Sequence, residues 1–193
     1  MPAAVFESET GYILKNSVFE IAIDKNGVLE RWCIENLSNN ILGESSLEVS
    51  INCEIEEPYI TAQSVSVRVE YSTCFGELKR IFTVREKAFT VDELILAKID
   101  TELNYSLKLK FKRVFDYFML SKDRFDIEEK VERETRDFLL VNEKRDIYLG
   151  AIFKQTMLLS SEPLKNCILF DISHTTQIRS MELLLFSYTF SLV

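Results

Sequence analysis

The sequence predicts a mainly β protein, an antiparallel two-sheet sandwich with one helix near 121–136. Three observations lead there. Apolar and polar residues alternate in run after run through the first 113 residues, short polar turns separate the runs, and a helical spacing competes at one place only. Alternation at period two puts one face of a strand in water and the other in a core, so two such sheets cover each other.

The first strand places Phe19, Ile21 and Ile23 on one face, with Glu20 and Asp24 opposite. Asp24-Lys25-Asn26-Gly27 supplies the turn, since Asn and Gly tolerate the positive φ of a tight hairpin. Val28–Ile34 returns as its partner, and Leu37–Gly43 reads as a polar connection. Five further runs follow: Leu47–Ile55, Val65–Tyr71, Leu78–Val84, Phe89–Ile99 and Leu103–Phe111. Ser121–Arg136 is charged and free of Gly and Pro, with Ser121 placed to cap a helix, although Phe125, Ile127 and Val131 also fit a strand. Strands resume at Phe138–Val141, Asp146–Leu159, Cys167–Ser173 and Met181–Leu192. The last run, to Val193, carries one charge, Glu182, and predicts a buried strand, with a homodimer contact through Met181–Val193 favoured as its cover.

Composition narrows the function classes. With 193 residues the chain is long enough for one domain, 1–193, with a continuous core, or for a piece of a longer sandwich. A net charge of -8 argues against a nucleic-acid backbone binder. Four cysteines, Cys33, Cys53, Cys74 and Cys167, form no C-x-x-C pair, and His174 is the single histidine, so neither zinc nor any other cofactor is expected. Three of these cysteines lie in apolar strand patterns, which predicts buried free thiols. No glycine-rich phosphate loop is present, no apolar run is long enough to cross a bilayer, and the N-terminus lacks the pattern of a secretion signal, which points to the cytoplasm.

The hairpin at Asn16–Asn36, with its Phe-x-Ile-x-Ile-Asp strand, Asn-Gly turn and Val-Leu-x-x-Trp return, resembles the opening of galactose mutarotase-like β-supersandwich domains. Glu35–Leu42, Gly76–Val84 and Phe89–Glu93 resemble later segments of the same domains, so the likeness covers about the first 110 residues. The resemblance implies association with carbohydrate enzymes. Epimerases of that superfamily use two histidines and a glutamate, and this chain has one histidine, so the resemblance transfers no active residue. The catalytic helical barrel that such domains accompany is also absent, which implies an accessory domain.

Four residues are the ligand-contact candidates: Trp32, Lys108, Lys110 and His174. Trp32, read in alternation with Leu29, Arg31 and Cys33, offers a ring for sugar stacking if it faces outward, with packing in the core the favoured reading. Lys108 and Lys110 belong to a basic stripe with Lys112 and Arg113, suited to an anionic glycan or to guarding an edge strand. His174 follows Asp171 by three residues, a spacing that allows a carboxylate to orient an imidazole, against the plainer reading of a strand-end or turn histidine. Asp92-Glu93 and Glu128-Glu129 read as solvated faces. The leading function is a non-catalytic, carbohydrate-associated domain, structural or weakly glycan-binding. The alternatives are a protein-interaction module dimerising through an apolar edge, and a small hydrolase or epimerase with its site near His174.

Overall fold

The computed structural model describes residues 2–35, 37, 40–50 and 58–193, with the backbone alone for 44–50. The strands are β1 (Ala4–Glu7), β2 (Gly11–Lys15), β3 (Phe19–Asp24), β4 (Leu29–Ile34), β5 (Leu42–Ser50), β6 (Tyr59–Ala62), β7 (Ser66–Thr73) and β8 (Gly76–Arg85). They continue as β9 (Ala88–Ala97), β10 (Thr101–Lys112), β11 (Tyr117–Leu120), β12 (Asp123–Asp126), β13 (Val131–Asn142), β14 (Ile147–Pro163), β15 (Cys167–Ile178) and β16 (Leu183–Leu192). All pairings between them are antiparallel. Of the expected strand Leu47–Ile55, Ile51, Cys53 and Ile55 lie outside the described residues.

A small sheet runs β1-β2-β3-β4, and a large one runs β12-β11-β13-β14-β16-β9-β8-β7-β6. A further layer, β5-β10-β15, branches from β14. The branch has a local cause. β14 pairs with β16 through Leu149–Phe153 and with β15 through Leu158–Pro163. Between the two stretches its register on β13 slips, from Asp137↔Ile152 to Thr135↔Met157. The extra residues bend the strand out of one layer and into the other. The Thr135 hydroxyl bonds the Asp137 carbonyl, and Arg136 Nε donates to Thr156, stitching the bend.

The core fills the space between layers with rings. Tyr105 of β10 stacks on Phe186 of β16 at 4.1 Å between centroids, and Phe138 stacks on Phe170 at 5.2 Å. Trp32 meets Phe19, Phe89, Phe111 and Phe190, which joins the small sheet to both layers. Such contacts add about 0.5–1.5 kcal/mol per pair beyond burial. The small sheet is also pinned at both ends. Buried Asn16 accepts from the Val18 and Phe19 amides and donates to the Arg85 and Ala88 carbonyls. At the other end Tyr71 donates to the Asn26 carbonyl at 3.0 Å. Gly27, at φ 78°, belongs to that turn, and a Cβ there would stand 2.4 Å from the Tyr71 hydroxyl. Glycine is required for both reasons.

Two expectations change, and the choice between core and surface for Trp32 is decided. Residues 121–136 form no helix: Ser121 sits at φ 56° in a turn, followed by β12 and the start of β13. Phe125 stacks on Phe118 across the β11–β12 pair, so the two-residue period prevails over the helical one. Trp32 faces inward, fully buried. Ala22 pairs with Arg31 but Ile23 pairs with Leu29, so Glu30 is an extra residue. This bulge reverses the phase, putting Leu29 and Trp32 on the same buried face. The terminal run is a central strand: β16 lies between β14 and β9. The chain's own layers cover it, so Phe186, Tyr188 and Phe190 are buried without a second copy, while Met181, Leu183 and Val193 are exposed. Among the described residues no helix is long and apolar enough to cross a membrane.

Candidate functional site

The small sheet presents a cleft of about 610 Å³ on its open side. Register builds it. Lys15 of β2 stands opposite Glu20 of β3, and Glu20 opposite Cys33 of β4. Arg31 lies two residues before Cys33 on the same face, beside this row. The Glu20 carboxylate takes Lys15 Nζ on one oxygen at 2.8 Å and Arg31 Nη2 on the other at 2.8 Å. The Lys15 hydrogen bond holds the Glu20 carboxyl below its ordinary range, against an opposing effect of burial. Burial pushes the Cys33 thiol up, so it stays protonated at neutral pH. Half-buried Val18 adds apolar surface to the lining, and the buried residues Phe19, Ile34 and Leu37 border it from the core. The cleft therefore offers an ionised carboxylate with free lone pairs, two cationic donors and an apolar wall. Those are the groups that a polyol needs: acceptors and donors for hydroxyls, and a surface for C–H faces.

The four predicted ligand contacts do not assemble. Trp32 is in the core. Lys108 and Lys110 project from the outer face of β10, which is an interior strand between β5 and β15, so they guard no edge. His174 pairs with Tyr105, an inward position, so it lies on the opposite face from the lysines. It sits within β15 rather than at a strand end, with its ring edge-on to Phe186 at 5.8 Å. Asp171 does not orient it: three residues apart on a strand the two face opposite ways, and Asp171 accepts from the Ser106 hydroxyl at 2.6 Å. Arg113 is engaged by Glu128 and the Leu164 carbonyl.

Other readings are also revised. Glu93 is not on a solvated face: it is fully buried, 2.8 Å from Arg80 Nε. Cys33 and Cys167 are half-buried free thiols and Cys74 is exposed; buried cysteines were expected at Cys33 and Cys74, and Cys53 lies outside the described residues. Among the described residues no group of three or more His, Cys, Asp or Glu side chains is placed to hold a metal ion. The cleft was not legible in the sequence as a ligand site. Its only sequence signal was the Asn16–Asn36 hairpin that carries most of its residues.

No protein-family model matches the chain, and no curated protein matches it in sequence. Solved structures do match. The 4-alpha-glucanotransferase from Thermococcus litoralis aligns with a TM-score of 0.73 at 10 % identity, over 99 % of this chain and 39 % of that one. A putative aldose 1-epimerase from Escherichia coli K12 aligns at 0.69 and 7 % identity, over 99 % of each chain. A galactose mutarotase related enzyme from Lactobacillus acidophilus aligns at 0.70 and 7 % identity, over 94 % and 97 %. The chain thus has the fold of galactose mutarotase-like proteins. It spans about two fifths of the glucanotransferase and nearly the whole length of the other two.

Proposed function

We propose that the chain is a single, non-catalytic, carbohydrate-associated domain that contacts a glycan through the Lys15–Glu20–Arg31 cleft. The observation that carries this reading is the carboxylate fixed between two cations in an open, partly apolar cleft. The names of its structural neighbours, an epimerase, a mutarotase relative and a glucanotransferase, support the ligand class. The charge state of Glu20 argues against a general-acid role for this residue. A general acid on a sugar needs a carboxyl whose pKa is raised, and Glu20 is displaced the other way. His174 packs on Phe186, on a different sheet from the cleft. Free, part-exposed thiols fit a reducing compartment such as the cytoplasm.

Titration calorimetry against glycans selected on an array tests the reading. Hydrogen bonds to charged groups are worth about 1.5–3 kcal/mol, so Glu20→Gln and Arg31→Ala should each weaken binding by roughly tenfold or more. His174→Ala should leave binding unchanged and any sugar-converting activity within a few-fold. Binding indifferent to both cleft variants would overturn the site. A turnover that falls by about a thousandfold in His174→Ala would overturn the non-catalytic reading.

A further inference from the structure

Arg80 and Glu93 are cross-strand partners on β8 and β9, turned into the sandwich. One carboxylate oxygen of Glu93, Oε1, receives Arg80 Nε at 2.8 Å. The other, Oε2, is buried with no hydrogen-bond partner among the described residues. Two phenols share that condition, Tyr105 of β10 and Tyr188 of β16. Register brings the three together. Phe186 stands directly opposite Glu93, Tyr188 is two residues further along on the same face, and Tyr105 stacks on Phe186 at 4.1 Å. Burial, then the Glu93 charge, pushes both phenols well above their ordinary range, so both are protonated donors.

Two buried O–H donors and one buried carboxylate oxygen thus meet between the layers; the two phenols are near enough to interact with each other, but neither they nor Oε2 has a partner at full hydrogen-bond geometry among the described residues. We propose that an ordered water molecule occupies this interior site, accepting from Tyr105 and Tyr188 and donating to Glu93 Oε2. Water is the ligand whose chemistry fits: it accepts two hydrogen bonds while donating two, and buried waters typically make about three. The site is independent of the glycan cleft, because none of its residues lines that cleft. It completes the hydrogen bonding of a charge pair that β8, β9, β10 and β16 enclose, and so ties the two layers at their centre.

A high-resolution crystal structure of the full chain tests this. The expected result is a solvent peak within about 2.7–3.2 Å of Glu93 Oε2 and of both phenol oxygens. Magnetic relaxation dispersion gives a second readout in solution. The Tyr105→Phe/Tyr188→Phe variant keeps both rings and so retains the packing, and it should lose one long-lived internal water relative to the wild type. A phenol oxygen bonded directly to Oε2 with no solvent peak would overturn the proposal, as would equal water counts in the two proteins.

Discussion

Trp32 and Glu20 sit two strands' width or less from each other in the small sheet and do opposite work. Trp32 is the apolar hub, touching rings from the small sheet and from both layers. Its truncation to alanine leaves a cavity that those rings cannot refill, so Trp32→Ala should cost about 3–5 kcal/mol in denaturant unfolding. A loss below about 1 kcal/mol would mean that the ring is not at the core. Glu20 works by charge. Its pKa is depressed from 4.5 chiefly by Lys15. For a depressed carboxyl the ion-pair stabilisation is complete above the ordinary value and is lost as pH falls through the lower folded one. The Glu20 carbon signal should therefore titrate below pH 4.5, and Lys15→Met should move the midpoint up toward 4.5. A midpoint at or above 4.5 in the wild type would show that the pairing does not form. The face of Trp32 was not legible because one bulged residue, Glu30, reverses an alternation that reads cleanly on either side of it.

At the scale of elements, β16 matters to stability through both its burial and its pairing. It carries Phe186, Tyr188 and Phe190 into the core and is paired on both sides. Burying a large apolar side chain is worth about 1.5–3 kcal/mol, so losing the strand removes a share comparable to the whole stability of a domain. Deleting residues after Arg179 should give insoluble or molten protein, and a soluble, cooperatively folding truncation would contradict this. The long strands from β7 to β10 and from β14 to β16 were legible because each repeats its alternation several times, while of β13 only Phe138–Val141 was. β1, β2, β6, β11 and β12 span four or five residues each, too few to establish a period. The stretch 121–136 misled because its charged residues suit a helix, while the deciding contact, Phe125 on Phe118, depends on a partner strand.

For the whole molecule, the sandwich class was legible because one-sided strands in succession have few ways to cover their faces. The cleft was not. Lys15, Glu20 and Cys33 become one row through register across three strands, and Arg31 joins them by its position on the same face. Lys108 and His174 are separated by the same kind of fact, since pairing with Tyr105 turns the histidine inward. Side-chain hydrogen bonds of Asn16 and Tyr71 tie the small sheet to the large one, which holds the cleft against the core. The central claim is that this cleft is where sugar meets the domain. The most direct measurement is an NMR titration of the full chain with the best-binding glycan. Shift changes concentrated at Lys15, Glu20, Arg31 and Cys33 are the predicted result. Changes centred on β15 around His174, with the cleft signals unmoved, would contradict it.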